Sequence, residues 1–286
     1  MLFRSGVGRF SIACPGSRED GLPPDSVLAA AYIAKVDKVY SLGGAQAIAA
    51  RAYGTESVVR SDVICGPGNI FVTVAKKLVY GDVGIDGLYG PTETVILADE
   101  TANPTLCAAD LLAQAEHDPL AKPVLITTSE TLAREIKSQL STRVLNLDRI
   151  DIAKASLNNQ GVIAIVDSIE DAIKLSNSFA PEHLSISVRN AISIVPEIRN
   201  AGMVFLGEYS HEVLGDYGVG PSHVMPTAGT AKFNSGLGIH TFIKNIPVVN
   251  ISIESALEMT PHASIIAREE GLTGHAEAAE IRQELL

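Results

Sequence analysis

Gln114 and His117 lie three residues apart in the stretch Asp110–Asp118, whose Ala/Leu pattern predicts a helix. On a helix this spacing puts an amide oxygen and an imidazole on the same face. Mixed nitrogen and oxygen ligands suit zinc, manganese or iron, so the pair could form half of a metal site. Taken alone, the pair is better explained as the polar edge of a surface helix. Further residues of ligand type lie far downstream, and they are Asp216, His223 and His275.

Glu182 and His183 are a second candidate for chemistry, in a segment between a predicted helix and a strand predicted at Leu184–Val188. Pro181 is expected to keep Ala180 extended, which places the pair at the start of the strand. We expect active sites of α/β sheets at such a position. An adjacent carboxylate and imidazole can share proton abstraction and proton delivery. A Glu-His dipeptide is otherwise common surface decoration, and placement alone leaves both interpretations open.

Two glycine-rich turns, Gly43-Gly44 and Gly66–Asn69, each follow a predicted strand and open a helix. The free backbone N–H groups at a helix start suit an anionic ligand such as a pyrophosphate. Neither turn matches G-x-G-x-x-G, and a tight strand-to-helix turn needs glycine in any case. Spacing alone therefore favours a structural role over nucleotide binding.

The segment Glu208–Gly238 is rich in Gly, Pro, Ser and Thr and is too long for a plain connection in a compact domain. We predict a functional loop, because it carries Asp216 and His223. The tail from Ser252 reads as two helices broken near Gly271.

Short β-branched runs alternate with Ala/Leu-rich helical stretches along the rest of the chain, the pattern of βαβ units. A loop with four glycines, 81–91, separates two such runs. The second run starts with a strand at Thr94–Ala98 and a helix at Pro104–His117. We predict an α/β fold with parallel sheets, divided into residues 1–92, 93–237 and 238–286.

Composition excludes some classes of function. The net charge of −11 and a pI near 5.1 argue against a nucleic-acid partner, since no basic cluster exists. No 18-residue apolar run is present, and Met1–Arg9 does not resemble a signal peptide. The cysteines, odd in number and without C-x-x-C spacing, predict reduced core thiols in a cytoplasmic protein. They are Cys14, Cys65 and Cys107.

Taken together and in order along the chain, these segments resemble the histidinol dehydrogenase family. The matching stretches are 43–49, 66–69, 90–93, 110–117, 180–184, 205–207, 215–217, 223–227 and 270–275. In that family two NAD-dependent oxidations convert L-histidinol through the aldehyde to L-histidine, in histidine biosynthesis, with one zinc per site. The resemblance implies two Rossmann-like parallel-sheet domains, the first incomplete at its N-terminus and binding NAD, plus a small C-terminal helical dimerisation tail.

The resemblance also implies roles for individual residues. Glu182 would activate water for attack on the aldehyde, and His183 would take the hydroxyl proton. Gln46 and Asn69 match positions associated with NAD. The implied zinc ligands are Gln114, His117, Asp216 and His275, and the implied substrate contacts are those four together with Thr92, His223 and Glu270.

Family members are homodimers in which the C-terminal histidine ligand, here His275, comes from the partner subunit. They are also longer than this chain, so the chain is expected to start part-way through the first domain. Thr92 stands where histidinol enzymes commonly carry serine. A related dehydrogenase of another small polyol or sulfonated diol is therefore an alternative, and a catalytically silent fragment is another.

Overall fold

The structure is a computed structural model that describes residues 6–284. Residues 1–5, on which part of the prediction for Met1–Arg9 falls, lie outside the described residues, as do residues 285–286. Contacts divide the chain into two compact units, Met1–Ile243 and Lys244–Leu286. Among the described residues no helix is long and apolar enough to cross a membrane.

The first unit opens with short strands and helices that pair locally. These are β1 (Ser11–Cys14), α1 (Asp25–Ile33), β2 (Lys38–Ser41), α2 (Gly44–Tyr53), β3 (Val63–Ile64), α3 (Ile70–Val79) and β4 (Gly84–Ile85). β1 pairs with β2 and β3 pairs with β4, both in parallel. The prediction of a loop over the whole of 81–91 was wrong at β4, because Gly84 and Ile85 pair with Val63 and Ile64 of β3.

A five-stranded parallel sheet in the order β7-β6-β5-β8-β9 follows. Its elements are β5 (Glu93–Ala98), α4 (Pro104–Ala115), β6 (Lys122–Thr127), α5 (Glu130–Arg143), α6 (Ile150–Asn159), β7 (Val162–Ile165), α7 (Ile169–Phe179), β8 (His183–Ser187), α8 (Ala191–Ile194), β9 (Met203–Leu206) and α9 (Glu212–Tyr217). The α/β class with parallel sheets is confirmed.

β5 occupies the centre of this sheet and is buried at all its positions. Successive side chains point to opposite faces, so Ile96 packs under α4 and α5 while Val95 and Leu97 pack on the other face with α7. Burial on both faces explains the continuous apolar run of the strand. The rigid sheet edge that results is the base of the site described below.

Capping residues set where the helices begin. Asn103 accepts a hydrogen bond from the Thr105 amide at 2.9 Å, and Pro104 at the first helical position needs no N–H partner. α4 ends at Ala115, two residues before the predicted end. His117 therefore lies just beyond the helix, in a turn in which its amide donates to the Gln114 carbonyl at 3.3 Å.

The expectation that Ala180 is extended was wrong. Ala180 adopts φ 58° and ψ 64° and ends α7 in the left-handed conformation, with its amide donating to the Ser176 carbonyl at 2.8 Å. The chain must stop α7 and reverse within a few residues to enter β8, and a left-handed residue does this while satisfying a helix carbonyl. For an alanine this conformation costs about 1 kcal/mol. The need to end α7 there outweighs both this cost and the preference set by Pro181.

The three cysteines are free. The core-thiol prediction holds for Cys107, which is buried, whereas Cys14 and Cys65 are only half-buried. Cys14 is the last residue of β1, and Cys65 directly follows β3.

The second unit contains α10 (Ile253–Glu269) and α11 (Thr273–Glu284). The predicted break near Gly271 is confirmed, since Gly271 has φ 74° between the two helices. Arg268 of α10 makes two hydrogen bonds to the Glu280 carboxylate of α11, at 2.6 and 3.0 Å. The unit is thus a helical hairpin.

Candidate functional site

Six residues singled out in the sequence line one cavity of about 350 Å³ in the first unit. They come from the turn before β5, the turn after α4, the start of β8, α9 and the loop after it. They are Thr92, His117, Glu182, His183, Asp216 and His223. The fold thus brings together residues that are as much as 131 positions apart in the chain, the difference between 223 and 92.

The cavity opens at the amino-terminal edge of the sheet. Glu182 and His183 stand at the start of β8, as predicted, and His183 is paired in register with Thr94 of β5. We expected the pair there on the wrong ground, because open α/β sheets usually bind ligands at the carboxyl ends of their strands. Here the segments that enter β5, β6 and β8 supply Thr92, His117 and Glu182, and the segment that follows β9 supplies Asp216 and His223.

Glu182 is buried and its carboxylate is held at one oxygen. Thr92 Oγ1 donates to Glu182 Oε2 at 2.6 Å, and the Glu93 amide donates to the same oxygen at 3.1 Å. Burial raises the pKa of Glu182, and the nearby His183 and the two donors offset only part of that effect. The group is therefore a better proton acceptor than an exposed glutamate.

His183 is held in one ring orientation. Its Nδ1 lies 3.2 Å from the Glu93 carbonyl, which can only accept, so this nitrogen carries a proton. The ring stacks on Phe205 with centroids 6.0 Å apart. Nε2, 3.8 Å from Asp216 Oδ1, is buried with no hydrogen-bond partner among the described residues.

The charge around His183 favours its protonated form. Burial lowers its pKa, but Asp216, Glu212 and Glu182 outweigh burial and raise the pKa to about 9. The carboxylates around His183 thus stabilise a positive charge on its ring.

His117 and Asp216 both line the cavity and carry atoms of metal-ligand type. His117 Nδ1 donates to the Ala113 carbonyl at 2.9 Å, which leaves Nε2 free. Burial acts to raise the pKa of Asp216, yet His183, His117 and His223 lower it, so the carboxylate is ionised. A free imidazole nitrogen beside a carboxylate is an arrangement that divalent metals accept.

The other two implied ligands are placed differently. Gln114 is buried on α4 and its amide nitrogen has no hydrogen-bond partner within residues 6–284. It does not line the cavity, whose walls include His117 from the same segment. His275 is exposed in the first turn of α11, and Glu270 is exposed at the end of α10, both in the second unit.

Within residues 6–284 the structure contains no cluster of three or more His, Cys, Asp and Glu side chains arranged to hold a metal ion. The donor types nevertheless fit one. Nε2 of His117 has no hydrogen-bond partner among the described residues, Asp216 is ionised, and Gln114, whose side-chain oxygen is a metal-donor atom, lies three residues before His117. This set matches a borderline divalent cation such as zinc in donor chemistry.

A second cavity, of about 320 Å³, lies against the two glycine-rich turns. Gly43, Gly44 and the whole 66–69 turn line it. Asn69 Oδ1 caps α3 by accepting from the amides of Phe71 and Val72, at 3.1 and 3.2 Å, so its NH₂ group is what remains for a ligand. Gln46 is exposed in the first turn of α2 and is not part of this lining.

Glu212 is a buried acid that the sequence analysis missed. It starts α9, four residues before Asp216, and its Oε2 accepts from Thr94 Oγ1 at 2.5 Å. Burial raises its pKa to about 7, with His183 and Thr94 opposing the rise. The signal that could have found it is the i, i+4 spacing to Asp216, which places both carboxylates on one side of a helix.

Glu212→Gln is expected to make the protein more stable than wild type at pH 8 and nearly equal to it at pH 5. A carboxyl whose folded pKa is raised contributes stability below its unfolded pKa, near 4.5, and that contribution is lost as pH rises through about 7. An amide keeps the acceptor for Thr94 and does not titrate. The gain at pH 8 should be on the order of 1–3 kcal/mol, measured by urea unfolding. Glu135→Gln, at an exposed position of α5, is the control and should show no such pH dependence.

A family model described as histidinol dehydrogenase matches residues 4–283. The chain is 50% identical over 280 residues to the histidinol dehydrogenase of Dehalococcoides mccartyi (strain ATCC BAA-2266 / KCTC 15142 / 195), covering 98% of this chain and 64% of that protein. It is 48% identical to that of Thermus thermophilus, covering 98% and 66%. The crystal structure of histidinol dehydrogenase from Elizabethkingia anophelis superposes with a TM-score of 0.88 at 34% identity, over 96% of this chain and 70% of that one. The chain thus spans about two thirds of the length of these curated relatives.

Proposed function

Because the chain belongs to the histidinol dehydrogenase family, we propose that it carries out that family's NAD- and zinc-dependent oxidation of L-histidinol to L-histidine through the aldehyde. The observation that carries the proposal for this chain is the buried Glu182–His183 pair, set in the same cavity as Asp216 and His117. Two adjacent proton-transfer groups beside free metal-ligand atoms are what an alcohol-to-acid oxidation needs.

The two members of the pair take different parts in the reaction. In its neutral form, which becomes more populated as pH rises towards about 9, His183 takes the proton of the substrate hydroxyl at Nε2 as hydride leaves the carbon that bears it. This nitrogen has no protein partner within the described residues. Glu182 takes a proton from water as the water oxygen attacks the aldehyde carbon, and a second hydride then leaves. Thr92 and the Glu93 amide keep the Glu182 carboxylate in place for that role.

NAD would supply the hydride acceptor, one molecule for each of the two oxidations, and zinc would supply a positive charge that orients the polar groups of the substrate. We propose that His117 Nε2, Asp216 and Gln114 hold the metal, with His275 of a second copy as the remaining ligand. His223 and Glu270 complete the contacts to substrate. The cavity lined by the turn 66–69 takes the dinucleotide, near Asn69 and Gln46.

The dimer and the location of the protein are part of the same proposal. A homodimer would let His275, in the second unit, serve the site of the partner. The apolar side chains exposed on α10 support an interface there, since Met259, Ile265 and Ile266 are each 60% or more exposed. A biosynthetic reaction that consumes NAD fits the cytoplasm.

Assay of the purified 286-residue protein with NAD tests the proposed function. We expect two NADH for each L-histidinol consumed, and metal analysis should find one zinc per chain. Turnover of a sulfonated diol without turnover of histidinol would replace the substrate and keep the reaction class. A protein with no bound metal and no NADH formation from either alcohol would be a silent member of the family.

A further inference from the structure

Lys76 and Asp86 form a buried ion pair outside the acid/base site. Nζ of Lys76 lies 2.5 Å from Asp86 Oδ1, and the two side chains are 2% and 0% exposed. Lys76 comes from α3 and Asp86 follows β4. Nζ also lies 4.8 Å from the centre of the Tyr89 ring, a cation–π distance.

The second hydrogen bond of each member goes to one residue, Gly66. The Gly66 amide donates to Asp86 Oδ2 at 2.7 Å, and Lys76 Nζ donates to the Gly66 carbonyl at 2.9 Å. The ion pair therefore satisfies both backbone groups of a single glycine. That glycine has φ 119°, a backbone conformation that other residues rarely adopt, although nothing lies within 4 Å of where a Cβ would be.

A contribution to stability does not by itself explain why this ion pair is buried between α3 and β4. Burying two charges costs several kcal/mol for each ion, and apolar side chains of similar volume would usually join α3 to β4 as well or better. What apolar residues could not do is bind the amide and the carbonyl of Gly66 together. The charges are thus matched to the conformation of the turn rather than to packing.

The turn that is held in this way separates the two cavities. Pro67, which follows Gly66, lines both the first cavity, which contains Glu182 and His183, and the second cavity. Tyr89, under the Lys76 ammonium, lines the first cavity, and its carbonyl accepts from Thr73 Oγ1 of α3 at 2.8 Å. The contacts of Lys76 and Asp86 thus hold both the 66–69 turn, which lies between the cavities, and Tyr89, which lines the first cavity.

We propose that Lys76 and Asp86 are positioning residues that hold the 66–69 turn in the shape required by the ligand of the second cavity. For the identity of that ligand, NAD, the inference rests on the proposed function. Neither side chain lines either cavity. They act through Gly66 and Pro67, which set where a bound dinucleotide ends and the substrate begins.

The test replaces both members together, as Lys76→Met/Asp86→Leu, so that no buried charge is left unpaired. Two quantities are measured: hydrogen exchange of the Gly66 amide, and the dissociation constant for NAD⁺ from calorimetry. Exchange should speed up at least about tenfold because the amide loses its acceptor. The dissociation constant should rise at least about tenfold, and by more than the KM for the alcohol, because the whole 66–69 turn lines the second cavity and only Pro67 of it lines the first.

Lys77→Met is the matched control, because Lys77 is the exposed neighbour on the same helix and its removal deletes the same charge. It should leave exchange and NAD⁺ affinity at wild-type values. If hydrogen exchange of the Gly66 amide is unchanged in the folded double variant, the ion pair does not hold the 66–69 turn. Faster exchange with unchanged NAD⁺ affinity would overturn the positioning role. If the wild type neither binds NAD⁺ nor oxidises an alcohol, the proposed function fails, and the exchange comparison still decides whether the pair holds the turn.

Discussion

His117→Ala is expected to abolish zinc binding and leave the chain folded. His117 is exposed, so removing its ring leaves no cavity in the core. Its Nδ1 is tied to the Ala113 carbonyl, and this bond fixes the ring with Nε2 free. Loss of a residue that only hydrogen-bonds to a metal ligand commonly lowers metal affinity 10- to 100-fold. Loss of a ligand itself should therefore lower it at least about 100-fold.

Metal content of the purified protein, with circular dichroism to verify folding, measures this effect. His240→Ala is the control, since His240 is also an exposed histidine of the first unit but does not line the cavity. Full zinc occupancy in the folded His117→Ala protein would remove this residue from the proposed ligand set. Equal loss of zinc in both variants would indicate a nonspecific effect and would equally contradict the assignment.

Glu182→Gln is expected to separate the two oxidations. The amide keeps the shape of the side chain but cannot take a proton from water, so oxidation of the aldehyde should slow by about 10² to 10⁴. The first oxidation, which uses His183, should continue. NADH yield in a single turnover should therefore fall from two towards one per histidinol, measured by absorbance with aldehyde trapping.

Thr92→Val gives a graded companion to this experiment. It removes the 2.6 Å hydrogen bond to Glu182 but leaves the carboxyl in place, so the second oxidation should slow by roughly tenfold. Glu197→Gln, at an exposed position, should have no effect. Should Glu182→Gln slow both oxidations equally, Glu182 would be a general structural element of the site rather than the group that activates water.

Local patterns predicted the parallel sheet, and six of the 13 residues that line the first cavity were candidates in the sequence. Alternating β-branched and Ala/Leu runs predicted the parallel sheet because strands buried on both faces carry continuous apolar runs, as β5 does from Val95 to Ala98. The lining residues of the first cavity came from chemical type together with the family resemblance. Such patterns can be recognised within one short stretch of sequence, without knowing which distant segments contact each other in the fold.

What the sequence could not give depends on tertiary partners. Glu212 looks like a surface residue in a polar loop until Thr94, 118 positions away, is seen to bind it. Lys76 looks like half of a solvated Lys-Lys pair, although its ammonium is buried against Asp86. Ala180 was mispredicted because the local rule for a residue before proline does not include the need of α7 to end there.

The location of the first cavity at the amino-terminal edge of the sheet has an electrostatic consequence. Helices α4 and α7 both run towards this edge, so their carboxyl-terminal ends, with partial negative charge of the helix macrodipole, point at the side where His117 and Glu182 follow them. Each such end stabilises a nearby cation by about 0.3–1 kcal/mol. The second cavity has the opposite polarity, because α2 and α3 begin at its walls with their positive ends. Two adjoining compartments of opposite dipole polarity can sort ligands by charge. This polarity favours the proposed metal beside His117 and the anionic part of the proposed dinucleotide on the far side of Pro67.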